Sequence, residues 1–415
     1  MFVIPFMAYY LDKGKHLSVT DVAFVIAALG LGTTVGDAIG GYLADIFGRR
    51  LAIVLGNLAA AAAYIWLGRA DTVHSMVIAA LAVGLCYDLW RPGAYAILEE
   101  ASSDEEQLKR ANSLFLWFFN AAVIAAAIGA GFLAVTVGWI WLFYGNAVAC
   151  ICFALVARFA LPESRPERRA RRTAVAMRPR YLLVLALLTL VCLTAYNQIE
   201  YALPLRFAGD GIEPVEYGVI LAVNPITVCI VQLTVWGKLK KMPSVAAFAV
   251  GMLFIGVGIA ITGMGHGFIV HGIHVSALAW FCGTSLIWIL GEIAVLGPGM
   301  ALVTGLAPPG KEASYTGIFF SAVGLSTITA SVAGAWIIHL PGLRVEGVYL
   351  SGLPLLWTAC AVAGVVASTG ILVMARPFRR RVSLMKAAKE EIKATGQRER
   401  NEPTPSPAAM NSDSL

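Results

Sequence analysis

Four charged residues lie well inside the long apolar stretches of this 415-residue chain, away from the stretch ends: Asp37, Asp88, Arg91 and Glu292. A charged side chain at such a position costs on the order of 2.5–3.5 kcal/mol in a membrane, so each needs a compensating role. A carboxylate can take up and release a proton, whereas an arginine keeps its charge. These residues are therefore our candidates for coupling proton movement to another process.

Each candidate has a second interpretation. No basic residue lies within two turns of Asp37 in its own stretch, which suits a proton carrier, but Asp37 could also pair with Arg91 or line a cavity. Asp88 lies one turn before Arg91, and the two could form a structural pair or a proton-coupling and substrate-contacting site. Glu292 could be functional or could hydrogen-bond between helices.

A second set of residues adds polar or aromatic groups to the same apolar stretches. We expect these side chains to line a substrate cavity, whereas Glu200 could simply reach the outer interface. The cavity candidates are Tyr196, Asn197, Gln198, Asn224, Gln232 and Trp288.

The elements that position these residues are membrane spans. The chain is 59% hydrophobic and 13% charged, against about 45–50% and about 25% in soluble domains. Backbone groups must be paired within each span in lipid, so we predict an all-α polytopic membrane protein. A short apolar stretch at 2–11 precedes full spans at about 22–44, 51–67, 76–98, 111–136, 139–161, 181–204, 216–236, 244–263, 277–303, 313–338 and 350–375.

A basic loop divides these spans into two sets. We predict an N-terminal bundle at 1–162, a basic linker at 163–180, a C-terminal bundle at 181–376 and a largely disordered tail at 377–415, in which about 383–394 could form a surface helix. Lysines and arginines concentrate in alternate loops, which predicts that the linker and the C-terminus face the cytoplasm of a cell membrane. These loop residues account for the net charge of +6, so the charge does not indicate a nucleic-acid partner.

The turn after the second span combines small and charged residues in a specific spacing. Gly41, Asp45, Gly48, Arg49 and Arg50 form the pattern G-x-L-A-D-x-x-G-R-R. Glycine permits the tight turn, and the charges lie at helix ends, where they can fix one conformation. The pattern closely resembles the signature loop of the major facilitator superfamily.

That resemblance implies two pseudo-symmetric six-helix bundles around a central cavity, and transport by alternating access. It also implies a gate latch between Asp45 and Arg49, with Glu99 or Glu100 as the acidic partner of the arginines. Residues 2–11 look like the outer half of the family's first span, so we expect about ten to fifteen more apolar residues upstream.

A finer resemblance connects the chain with bacterial drug:proton antiporters. The Arg91-Pro92-Gly93 run and the Gly291-Glu292 pair are similar to motifs of that group, although residues 120–131 carry alanine where the group has proline and several glycines. The resemblance implies proton-coupled efflux of small amphiphilic compounds by a monomer. Two alternatives are transport of a specific metabolite and a non-transporting membrane sensor or assembly factor.

Enzymatic and metal chemistry find little support in the sequence. The glycines of the ninth span follow no strand, so no nucleotide-binding loop is predicted, and no nucleophile has a base partner. His266, His271 and His274 share one loop without a nearby carboxylate, and the seven cysteines lie in apolar stretches. We therefore expect no enzyme activity, no cofactor and no metal; the predicted partners are a small molecule, protons and the lipid bilayer.

Overall fold

The long helices of this protein follow the apolar stretches of its sequence. The computed structural model describes residues 3–87, 89–90, 94, 97, 105–161, 180–234, 242–265, 269–270, 273–274, 276–308, 312–341, 343–345, 348–350 and 352–387. Within these ranges, nine helices are long and apolar enough to cross a membrane, and Val73–Tyr87 and Pro214–Ile230 are shorter apolar helices.

Helices α1 to α12 correspond in order to the twelve predicted apolar stretches. The short helix α1 (residues 4–14) joins the turns Ile4–Phe6, Met7–Tyr9 and Tyr10–Gly14. The first set continues with α2 (Val19–Phe47), α3 (Arg49–Arg69), α4 (Val73–Tyr87), α5 (Glu105–Thr136) and α6 (Ile140–Ala160). The second set contains α7 (Arg180–Gly209), α8 (Pro214–Thr234), α9 (Ser244–Met264), α10 (Ala277–Leu306), α11 (Glu312–Ile338) and α12 (Leu353–Val373).

Helix α7 is interrupted near its end. The helix Arg180–Tyr196 is followed by a 3-10 turn at Asn197–Ile199 and then by the short helix Ala202–Gly209. The interruption changes the direction in which successive side chains point, and it falls where polar residues cluster in the sequence.

The two sets of helices pack in the same pattern. In the first set α2 packs on α4 and α3 packs on α6; in the second set α8 packs on α10 and α9 packs on α12. The most extensive contacts between the sets are α2 with α11 and α8 with α5, and α1 adds a smaller contact with α7. Adding six to each helix number exchanges these two contacts, as expected for two six-helix bundles related by a pseudo-two-fold axis.

Glycine allows the closest of these helix contacts. Gly32 of α2 and Gly84 of α4 face each other, and a Cβ atom on Gly84 would collide with the carbonyl oxygen of Leu29. Small residues let helix backbones approach in this way, which compensates for the lack of a hydrophobic driving force between helices in lipid.

Two small antiparallel ladders lie in the connections between helices. Strands β1 (Ile269–Val270) and β2 (Ile273–His274) connect α9 to α10, and β3 (Leu343–Val345) and β4 (Val348–Leu350) connect α11 to α12. His274 lies in β2, whereas His266 and His271 lie outside the described residues. Within the described part of the chain no group of three metal-ligating side chains occurs.

A further helix, α13 (375–387), follows α12 after a turn at Met374. Its Phe378 is fully buried. The first part of the predicted tail is thus an ordered helix that starts before residue 383. The basic linker and the rest of the tail lie outside the described residues.

Candidate functional site

A cavity of about 350 Å³ lies between the two bundles. Helices α1, α4 and α5 line it from one side, and α7, α8 and α10 line it from the other. Its polar and aromatic lining consists of Phe6, Tyr87, Phe119, Tyr196, Glu200, Phe207, Tyr217, Asn224, Ser285, Trp288 and Glu292. The remaining lining residues are aliphatic or proline.

Glu292 is held in this cavity by neighbouring side chains. Asn224 Nδ2 donates a hydrogen bond of 2.8 Å to Glu292 Oε2, and the Tyr196 side chain contacts the same carboxylate. Trp288 lies one turn before Glu292, and its ring centroid is 6.0 Å from that of Tyr196. The structure therefore brings together four residues that the sequence identified separately on α7, α8 and α10.

Two predicted cavity residues point elsewhere. Asn197 Nδ2 donates to Ser326 Oγ at 2.7 Å, and Gln198 Nε2 donates to the carbonyl oxygen of Ala330 at 2.9 Å. Both contacts bind α7 to α11. The cavity is lined at helical spacing by Tyr196, Ile199, Glu200 and Leu203, so Asn197 and Gln198 fall outside the lining face of α7. Neither residue is among the described lining of this cavity.

Glu200 lines the cavity instead of reaching the outer interface. The described structure shows no hydrogen bond to its carboxylate, in contrast to Glu292. No lysine, arginine or histidine occurs among the described lining residues. The sequence signal that could have identified Glu200 is its spacing of four residues from Tyr196.

Aromatic residues of α1, α7 and α8 pack together beside the cavity. The Tyr217 hydroxyl donates to the carbonyl oxygen of Pro5 at 2.7 Å, and the Tyr9 hydroxyl donates to that of Ile212 at 2.7 Å. The Tyr217 ring lies 4.9 Å from Phe6 and 5.6 Å from Phe207, measured between centroids. Residues of α1 thus bind directly to the second bundle.

The turn between α2 and α3 has the backbone that its sequence predicts. Gly48 ends α2 and begins α3 with φ +90° and ψ 153°, a conformation that favours glycine. Arg49 and Arg50 are half-buried, and Arg50 Nη1 donates to the carbonyl oxygen of Leu161 at 3.4 Å. Gly41 and Asp45 lie on α2, but their side-chain surroundings are outside the described part of the structure.

Several candidates cannot be placed relative to this cavity. Asp37 and Gln232 lie on α2 and α8, with side chains outside the described part of the structure. Asp88, Arg91, Glu99 and Glu100 lie outside the described residues altogether. Their roles remain predictions from the sequence.

Comparisons with known proteins agree with the family resemblance found in the sequence. The sequence profile of the Major Facilitator Superfamily matches residues 1–291. The MFS-type transporter YqjV of Bacillus subtilis is 23% identical over 380 residues, which cover 85% of this chain and 88% of YqjV. Multidrug resistance protein 1 of Bacillus subtilis is 26% identical over 168 residues, covering 40% of this chain and 43% of that protein.

Solved structures share the fold. The crystal structure of the peptide transporter POT in complex with sulfate superposes with a TM-score of 0.72, covering 91% of each chain at 16% identity. At this identity the likeness concerns the helix arrangement alone.

Proposed function

This chain belongs to the major facilitator superfamily, and from that premise we propose that it exports small amphiphilic compounds, cationic ones in particular, in exchange for protons. As a member of this superfamily it is a multi-pass membrane transporter. The cavity between the bundles is the substrate site in this proposal, and rocking of the bundles exposes it to each side of the membrane in turn.

The chemistry of the cavity lining carries the proposal. Aromatic and aliphatic side chains suit an apolar substrate body, and the faces of Trp288, Tyr196 and Tyr217 attract a positive charge. Glu200 and Glu292 add negative charge, without a described basic residue to oppose it. Trp288 Nε1 is buried without a hydrogen-bond partner in the described structure, so it can donate to a bound molecule.

Proton exchange is assigned to carboxylates in the spans. Glu292 is positioned for it because its contacts with Asn224 and Tyr196 can rearrange when it is protonated. Asp37 remains the first choice from the sequence, and Asp88 with Arg91 is the further candidate pair. In this scheme a cation and a proton compete for the same carboxylates, so release of one accompanies binding of the other.

The remaining parts of the proposal come from the loops. Asp45 and Arg49 form the gate latch, with Glu99 or Glu100 as the acidic partner, and Gly48 fixes the turn between them. The transporter acts as a monomer in the cell membrane, with the basic linker and the C-terminus in the cytoplasm. The charge bias of the loops supports this orientation.

Transport of a specific polar metabolite or a peptide is the competing function. Relatives in fold include peptide transporters. A peptide carries a carboxylate that needs a basic partner, and the described lining offers two carboxylates instead. A non-transporting sensor is less well supported, because its cavity would be filled by bulky side chains rather than open over about 350 Å³.

Transport into inside-out vesicles tests the proposal. We expect tetraphenylphosphonium to accumulate when the vesicle interior is acidic, and neutral triphenylphosphine oxide and dialanine to accumulate much less. Glu292→Gln should reduce this uptake by about tenfold or more, because a charge-assisted contact contributes about 1.5–3 kcal/mol.

Glu216→Gln is the matched control, since it removes a carboxylate that lies near the start of α8 and does not line the cavity. It should transport like the wild type. Gradient-driven uptake of dialanine without uptake of tetraphenylphosphonium would favour the competing function. Absence of gradient-driven movement for every compound would reject proton coupling.

A further inference from the structure

Helix α13 (375–387) presents a row of cations on one face. Arg376, Arg379, Arg380 and Lys386 are exposed and recur at helical spacing. The helix contains no acidic residue. Within the described structure none of these four side chains has an ion-pair partner.

The opposite face of α13 is docked on the second bundle. Phe378 is fully buried, with its ring centroid 6.3 Å from that of Tyr181 at the start of α7. Val382 lies so close to Gly305, near the end of α10, that a Cβ atom on Gly305 would be 3.1 Å from Val382 Cγ1. Because Tyr181 and Gly305 belong to the ends of two different helices, α13 lies across the end of the bundle.

Because α13 directly follows a helix long and apolar enough to cross a membrane, we expect it to lie at the level of the lipid headgroups. It begins directly after α12, whose last residue Val373 is 72% exposed on the apolar outer surface. Leu384 of α13 is also exposed. An exposed apolar side chain suits a helix whose flank meets the hydrocarbon boundary of the membrane. A basic helix with an apolar flank at this depth binds anionic headgroups.

We propose that α13 binds anionic lipids through Arg376, Arg379, Arg380 and Lys386, and that this contact stabilises the ends of α7 and α10. These two helices carry Tyr196 and Glu200, and Trp288 and Glu292, into the central cavity. Anionic lipid therefore acts on the helices that form the substrate site without entering the site. The inference does not depend on the identity of the substrate.

The test compares the full-length protein in nanodiscs of phosphatidylcholine with nanodiscs that contain about 30% phosphatidylglycerol. Thermal unfolding is followed by intrinsic tryptophan fluorescence. We expect the anionic lipid to raise the Tm of the wild type by about 2–4 °C, and high salt to remove most of the rise. The triple variant R376Q/R379Q/R380Q should lose most of the rise.

Two controls separate lipid binding from misfolding. The triple variant should melt like the wild type in phosphatidylcholine alone, because the three side chains are exposed. R376K/R379K/R380K keeps the charge and should retain the rise. An equal rise in the wild type and the glutamine variant would overturn the proposal, as would a rise produced equally by soluble phosphate in phosphatidylcholine nanodiscs.

Discussion

Glu200 and Glu292 reach the same cavity with different surroundings. Glu292 accepts a hydrogen bond from Asn224 and contacts Tyr196, so its orientation is fixed from α7 and α8. Glu200 lines the same space without a hydrogen bond to its carboxylate in the described structure. Under the proposed function, we therefore expect Glu200 to contact a cationic substrate directly, and Glu292 to exchange between proton, protein and substrate.

At the residue scale, Asp37→Asn tests the proton carrier chosen from the sequence. We expect it to abolish pH-driven transport and to leave substrate exchange without a gradient measurable, because the amide cannot exchange a proton. The measurement compares both activities in the vesicles described above.

Asp21→Asn is the control for this variant, since Asp21 lies in the first turn of the same helix, where the Ser18 hydroxyl donates to it at 2.7 Å. It should behave like the wild type. An Asp37→Asn protein with unchanged pH dependence would make Asp37 structural and leave Glu292 as the carrier.

At the element scale, α1 connects the two bundles. Its Tyr9 lies 5.6 Å from Trp139 of the first bundle and 5.7 Å from Tyr217 of the second, measured between ring centroids. Lys15, just after α1, also forms an ion pair of 2.9 Å with Asp71 beside α4. An element of eleven residues, too short to cross a bilayer, is thus held by aromatic packing and side-chain hydrogen bonds.

Tyr217→Phe should loosen this connection. The variant removes the hydrogen bond to the carbonyl oxygen of Pro5 and leaves that oxygen without its donor, at a cost of about 1–3 kcal/mol. We expect a lower Tm in detergent. We also expect a chemical probe attached inside the cavity to react faster with a water-soluble reagent added on the side of the membrane where α1 lies.

Tyr144→Phe provides the comparison, because the Tyr144 hydroxyl accepts a hydrogen bond from Arg69 Nε at an exposed position. Its effect on Tm should be smaller. Equal effects of the two variants would show that the Tyr217–Pro5 contact has no special part in holding α1.

At the scale of the whole molecule, two equivalent contacts between long helices join the bundles, in addition to the contact of α1. The pairs α2 with α11 and α5 with α8 exchange under the pseudo-two-fold axis. Such an arrangement allows the bundles to rock about the cavity while each keeps its internal packing. The proposed orientation of the protein in the membrane rests on the bias of positive charge between alternate loops, and a separate experiment tests it.

Labelling with a membrane-impermeant thiol reagent on intact cells determines the orientation. Val137 is 53% exposed in the connection between α5 and α6, so Val137→Cys should be labelled from outside. Ala170→Cys in the basic linker should be labelled only after the cells are opened, because basic loops stay in the cytoplasm. The wild type is the control for background labelling of the native cysteines. Labelling of Ala170→Cys from outside, and of Val137→Cys only after the cells are opened, would contradict the proposed topology.

The sequence by itself determined the spans, the polar residues at membrane depth and the turn at Gly48. Span positions follow from the free energy of placing each side chain in lipid, which is a property of local composition. The turn at Gly48 follows equally from local chemistry, because a positive φ is easy for glycine and costly for other residues. These features need no knowledge of neighbouring helices.

The tertiary structure decided which side of each helix faces the cavity. Asn197 and Glu200 are three residues apart on α7, yet one binds Ser326 of α11 and the other lines the cavity. Helical spacing from Tyr196 groups Glu200 with Tyr196, but the local sequence does not show that this face is the inner one, because a helix in lipid can be apolar on every side and carry no amphipathic pattern. The docking of α1 on Tyr217 and of Phe378 on Tyr181 depends in the same way on helices that are distant in the sequence.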